Sequence, residues 1–274
     1  MSTSNFVSRS PSLQFLKLGG SLITDKQHAH TTRLEVLKRL AGEIAAAFDR
    51  DPGLRLLLGH GSGSFGHVPA KEFATRQGVQ GEREWHGFTE VWYQASELNR
   101  LVIHALHAEG LPAMAFPPSA MVIAQEAKVL SWDLSPLHSA LQAGLLPVVY
   151  GDVVFDTRRG GTILSTEDLF DHLAVQFNPH RILLAGIEPG VWADYPICKR
   201  IMPEITPRNL REVEEVLFGS AATDVTGGMA SKVNQSLELV RDLPGLEILI
   251  FSGEEPRAVQ DALAGENRGT LIHS

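Results

Sequence analysis

The stretch Leu13-Gln14-Phe15-Leu16-Lys17-Leu18-Gly19-Gly20-Ser21 sets the fold of this 274-residue chain. Its first six residues read as a buried β-strand interrupted by a single cation, and the run stops on two glycines. A lysine inside an apolar strand is costly to bury unless its ammonium emerges at the strand end and meets an anion. Glycines directly after it let backbone N–H groups approach a phosphate closely. Alone, the segment also fits a snorkelling edge lysine before a tight turn.

Outward from this strand, the pattern alternates. Leu34, Leu37, Leu40, Ile44 and Phe48 recur at helical spacing, and Asp51-Pro52-Gly53 turns the chain. Leu54 to Leu58 is a second buried strand running into His60-Gly61-Ser62-Gly63-Ser64-Phe65-Gly66-His67. A long helix beginning near Phe88 carries Val91, Ala95, Leu98 and Val102 and stops at Gly110 with Pro112 beyond. Leu145 to Tyr150 is a strand, and Asp152 to Asp156 with Thr162 to Leu164 reads as a β-hairpin turning at Gly160-Gly161. A helix from Glu167 to Phe177, a strand from Arg181 to Ala185, helices after Arg208 and around Lys232, and strands at Leu246–Phe251 and Thr270–Ile272 complete the series. Strands alternating with helices predict an α/β fold, a three-layer αβα sandwich with a mostly parallel central sheet plus the hairpin. Residues 1–12 read as a flexible tail, and 13–274 as one domain. Ligands in such sheets sit at the carboxyl ends of strands, where both glycine-rich segments fall.

Composition narrows the partners. Hydrophobic residues make up 43% and charged residues 20%, enough for a core without metals or staples. The net charge is −8 with no Lys/Arg run, which argues against nucleic acid or an anionic membrane surface as partner. Cys198 is the only cysteine, so no intramolecular disulfide forms and a reducing compartment fits. No signal-peptide core and no membrane-spanning run are present.

Four further segments carry chemistry. Gly61, Gly63 and Gly66 match G-x-G-x-x-G, yet the polar stretch from Lys71 to His86 holds no strand ending in an acid, so a dinucleotide site is rejected. His67 can donate to a phosphate oxygen, and Lys26 is close enough in chain to return to the first glycine turn. Asp168 opens a helix, where it either caps N–H groups or orients lysines and holds Mg²⁺ through water. Gly227-Gly228 before a helix, with Lys232 in its first turn, suits an anion, since a cation near a helix N-terminus is otherwise disfavoured. His28, His30, His104 and His107 read as solvated, with no metal cage in view. The chain has no Gly-Lys pair, no H-R-D and no D-F-G, which excludes P-loop and protein-kinase architectures.

In their order, Lys17–Lys26, His60–His67, Tyr150–Asp156, Ile163–Asp168 and Asp224–Lys232 resemble the amino acid kinase superfamily. The Ser64-Phe65-Gly66-His67 ending points to its isopentenyl phosphate kinase branch. The resemblance implies an ATP-dependent kinase for a small phosphate acceptor, with ATP and Mg²⁺ as cofactors, no dedicated metal ligand, a cytoplasmic location and a homodimer. It implies an acceptor lobe over 13–178 and a nucleotide lobe over 179–274. Lys17, Lys26, His67 and Asp168 would be catalytic, with Lys26 stabilising the transition state and Asp168 organising the lysines. ATP would bind at Lys17, Gly19, Gly20, Ser21, Ser62, Gly190, Gly228 and Lys232, and the acceptor at Gly61, Gly66, His67, Gly151 and Asp152. Gly190-Val191-Trp192 resembles the family's adenine-side loop, and Gly186-Ile187-Glu188-Pro189-Gly190 stands where the family has Thr-Asp-Val-Asp-Gly. A fosfomycin-type acceptor and a non-catalytic binding or storage module on the same fold remain open, as does whether Val91, Trp92 and Ala95 form core or pocket.

Overall fold

A computed structural model describes residues 13–209 and 227–274. The expected tail over 1–12 and the helix expected after Arg208 lie outside the described residues.

The opening strand, β1 (Leu13–Leu18), is central. It pairs in parallel with β2 (Arg55–His60) on one side and β9 (Arg181–Gly186) on the other, with Lys17 level with Gly59 and Leu184. Beyond β2 lie β6 (Leu146–Tyr150) and β3 (Ala113–Ala115). Beyond β9 lie β11 (Glu247–Ser252), β12 (Thr270–Ile272) and β10 (Glu204–Ile205). All neighbours in this eight-stranded sheet are parallel except β11 and β12.

Strand side chains alternate between faces, and each face is covered. Phe15, Leu57, Ile182 and Leu184 pack against α5 (Ser135–Gln142), α6 (Thr166–Phe177) and α7 (Gly227–Asp242). Leu16, Leu18, Leu58 and Leu183 pack against α2 (Leu34–Arg50), α4 (Glu82–Ala108) and α8 (Ala258–Leu263). Lys17 shares the parity of Phe15, so its side chain leaves the sheet toward α6 and α7. Two short helices, α1 (Gly20–Ile23) and α3 (Gly63–Glu72), begin where β1 and β2 end.

The expected hairpin is present as β7 (Asp152–Asp156) against β8 (Gly160–Leu164). It belongs to a second, four-stranded sheet with β4 (Val122–Gln125) and β5 (Lys128–Trp132). Gly160, at φ +76, lies so close to the Val79 carbonyl that no side chain fits there, which clamps the hairpin onto the segment leading into α4.

Three elements differ from expectation. The chain enters α3 at Gly63 and stays helical through Gly66 and Pro69; burial of Phe65 in the core offsets the poor propensity. Helix α4 starts at Glu82 rather than near Phe88, because the Glu84 carboxylate accepts from Gly81 N at 2.9 Å and caps a polar first turn that apolar periodicity does not register. Helix α7 takes in both glycines, so Lys232 is in its second turn rather than its first.

Phe170 is 2% exposed, with its ring centroid 5.1 Å from that of Phe15 and its edge over Gly59. Phe170→Ala is expected to lower the unfolding free energy by about 3–5 kcal/mol in urea titration, and a loss under about 1 kcal/mol would contradict the packing described. Asp152, which opens β7, is fully buried and accepts from Val153 N at 2.8 Å and Ser119 N at 3.2 Å. Burial pushes its carboxyl up from 3.8 to about 6 against the opposing effect of those bonds. The folded state therefore binds the proton more tightly than the unfolded chain. Wild-type stability should fall by up to ~3 kcal/mol relative to Asp152→Asn as pH rises through this window. Parallel pH–stability curves for the two proteins would refute it.

Candidate active site

Parallel pairing of β1 with β2 brings two glycine turns to one sheet edge. Gly19 N donates to Ala185 O at 2.8 Å and Gly61 N to Leu18 O at 3.0 Å, anchoring both turns to neighbouring strands. The turns touch backbone to backbone. A Cβ on Gly20 would lie 2.6 Å from Gly63 Cα, and one on Gly63, at φ +48, would lie 2.7 Å from Gly20 O. Thr24 stitches the contact: its Oγ1 donates to Gly20 O at 2.8 Å and accepts from Ser64 N at 3.0 Å. Among the described residues the amides of Gly20, Ser21, Ser62 and Gly63 have no acceptor. Helix-terminal N–H groups converging in this way form an anion cradle.

A cavity of about 660 Å³ opens over this edge. It is bordered by Lys17, Gly19, Gly20, Ser21, Lys26, Gly61, Ser62, Gly66, His67, Gly151, Asp168, Gly228 and Lys232. Asp224, Val225 and Thr226 of the last motif lie outside the described residues. Two expected residues do not border it. Asp152 points into the buried base of the hairpin, as above. Gly190 packs on Thr270, whose Oγ1 accepts from Val191 N at 2.8 Å; its neighbours Glu188 and Trp192 border the cavity instead.

Electrostatics around the cavity centre on Lys17, which is 8% exposed and ion-paired with Glu167. Burial would raise the Glu167 carboxyl, but the adjacent Lys17 and Lys232 ammonium groups outweigh it and hold the group below its usual range. Burial lowers Lys232, as do Lys17 and Lys26, with Glu167 and Glu188 opposing. Three ammonium groups thus repel one another across a space only partly neutralised by carboxylate, which favours an anionic ligand. His67, at the rim, is lowered first by desolvation and then by the Lys17 charge, with Glu167 opposing, so it is a neutral N–H donor near pH 7.

Asp168 was expected to organise the lysines, yet the carboxylate on Lys17 is Glu167. Asp168 Oδ2 accepts from Ser165 N at 2.7 Å and from Arg76 at 3.0 Å, while Ser165 Oγ accepts from Asp168 N at 3.1 Å. This is a capping box, and adjacent helix residues face about 100° apart, so only one acid of the pair turns to the sheet. Residue spacing from the cap was the available signal. Arg76, on a 3-10 turn, has no local sequence signal, and Glu188 is marked only by its place in the loop that departs from the family's pattern.

The two ends of the cavity differ. On the β2 side Ala70, Val91 and Ile163 belong to one apolar cluster with Val79, Phe88 and Val153. Val91 is therefore both core and wall, Ala95 is core, and Trp92, 45% exposed, is neither. On the β9 side the wall is Ile187, Glu188, Trp192 and Met229. Among the described residues no group of three His, Cys, Asp or Glu is arranged to hold a metal. With Glu167 paired to Lys17 and Asp168 capping its helix, the hard oxygen donors here suit an Mg²⁺ that arrives on phosphate oxygens and meets Asp168 through water, not a protein cage.

The chain is similar to isopentenyl phosphate kinase of Methanothermobacter thermautotrophicus, 35% identical over 94% of this chain and 97% of the relative. It is similar to the enzyme of that name from Methanocaldococcus jannaschii, at 32% over 95% and 98%. A solved structure of isopentenyl phosphate kinase superposes with TM-score 0.80 at 32% identity, covering 95% of this chain and 99% of that one. The Amino acid kinase family profile matches residues 12–252. With its parallel sheet, glycine turns and lysine-lined crevice, the chain belongs to the amino acid kinase family.

Proposed function

We propose that this chain transfers the γ-phosphoryl group of ATP to isopentenyl phosphate, forming isopentenyl diphosphate. The observation that carries the reading is a single cavity in which two anion cradles meet under three lysines, with an apolar wall behind His67. The relatives of that name, similar over nearly their whole length, support it.

The chemistry needs little from the protein beyond placement and charge. The second pKa of a phosphate monoester is about 6, so the attacking oxygen is already anionic at neutral pH and no general base is required. The difficulty is holding two anions in line. On the β2 side, His67 and the Gly61–Gly66 turn grip the acceptor phosphate, and Ala70, Val91 and Ile163 take its hydrocarbon tail. On the β1 and β9 side, Gly19, Gly20, Ser21, Gly228 and Lys232 hold the ATP phosphates. Lys17, fixed by Glu167, and Lys26 neutralise the transferring group, where preorganised cations act most strongly. Mg²⁺ would arrive on the phosphate oxygens, with Asp168 reaching it through water, and would add positive charge there. The acceptor and nucleotide lobes meet at residues 178–179, between α6 and β9. The proposal extends to a cytoplasmic homodimer, as the resemblance implies; among the described residues no helix is long and apolar enough to cross a membrane.

Offering ATP with isopentenyl phosphate, dimethylallyl phosphate, fosfomycin and N-acetylglutamate tests the reading. The highest kcat/KM is expected on isopentenyl phosphate. Preference for fosfomycin would reassign the acceptor, and ATP binding without turnover on any of them would mark a storage module. His67→Ala should raise the acceptor KM about tenfold or more while the ATP KM changes less than about threefold, because one hydrogen bond to a charged group is lost. Equal damage to both constants would overturn that division. Lys26→Ala should lower kcat about a hundredfold or more with an unchanged melting temperature. Normal turnover would remove Lys26 from the mechanism.

A further inference from the structure

The loop after β9 places an acid where phosphate chemistry has no use for one. Glu188 is half-buried on the cavity wall, and Trp192 Nε1 donates to its Oε2 at 2.9 Å. Its Oε1 takes no hydrogen bond from any described residue. The Glu188 charge acts on Lys232 of α7 and on Cys198 further along the same loop. Glu188 is therefore held by an indole N–H on a cavity wall that it shares with Lys232.

A carboxylate in that position repels phosphate, and its free oxygen suits a ligand group that donates hydrogen bonds. In a nucleoside triphosphate the group between the base and the phosphates is the ribose. Its 2′- and 3′-hydroxyls are adjacent donors, and O–H bonds to a carboxylate are about twice as strong as neutral ones. An acid beyond the carboxyl end of a parallel strand is a known solution for ribose hydroxyls in sheets of this type. The β9 loop lies across β1 from the His67 turn, so this end of the cavity is the one left for the nucleoside.

We infer that Glu188 accepts hydrogen bonds from the ribose hydroxyls of the bound nucleotide, with the Trp192 N–H fixing its carboxylate. The inference rests on the nucleotide reading of the cavity. It makes the chain selective for ribonucleotides over deoxyribonucleotides.

Direct binding tests it without need of the acceptor. Calorimetric titration with Mg-ATP, 2′-deoxy-ATP and 3′-deoxy-ATP should show wild type binding ATP about tenfold to a hundredfold more tightly than either deoxy analogue. Glu188→Ala should bring the three affinities within about threefold of one another, mainly by weakening ATP. Glu188→Gln keeps an acceptor without the charge and should give an intermediate ratio. Trp192→Phe keeps the ring but removes the orienting donor and should narrow the ratio as well. Wild type that does not discriminate, or discrimination unchanged in both Glu188 variants, overturns the inference while leaving the nucleotide site in place. Failure of wild type to bind ATP at all overturns the nucleotide reading and the inference together.

Discussion

An ammonium held at the end of the central strand is the constraint that organises this molecule. Lys17 lies between two strands, nearly out of contact with water, and a lone charge in that position would cost several kcal/mol. Glu167 offsets part of that cost by closing the ion pair from α6. The pair leaves a net positive balance, because Lys232 and Lys26 act on the same space. The rest of the cavity follows from this imbalance. Backbone amides from two helix starts add partial positive charge, and the carboxylates at the rim are capped, paired or drawn aside. A site so arranged is less stable without an anion than with one.

Much of this was legible in the sequence because the signals are local. Short continuous apolar runs mark β1, β2, β6 and β9, and runs with period 3.6 mark most of the helices. Glycine clusters mark the strand ends, and Lys17 and His67 announce themselves by sitting in the wrong company for a core strand or a bland turn. Illegible features depend on distant parts of the chain. Helix α3 exists because Phe65 reaches a core made by other elements, despite two glycines and a proline. Which acid meets Lys17 has no local signal, since Asp168 fits a cap equally well and only the rotation of α6 against the sheet selects Glu167. Asp152 looked like a ligand from its motif, and only the closing of β7 on β8 shows that its carboxylate is turned inward.

The division of the cavity into unlike ends also follows from topology rather than motif. Because β2 and β9 flank β1, the loops they feed cannot exchange sides. The β2 side inherits the apolar cluster under α4 and the hairpin, and the β9 side inherits an indole, a carboxylate and the start of α7. In the proposed reaction, chain order would thereby segregate donor from acceptor. The lysines at the centre border both ends.

The meeting of Gly20 with Gly63 carries a mechanical consequence. Main chain rests directly on main chain there, and the Thr24 side chain pins the two turns together. On the proposed reading this contact joins the two cradles, and the gap between donor and acceptor phosphates would be set by the backbone rather than by domain closure. Adaptation to new acceptors should therefore leave this hinge-free centre alone and rework the walls, where side chains such as Ala70 and Ile163 can change size without disturbing the spacing of the reacting groups.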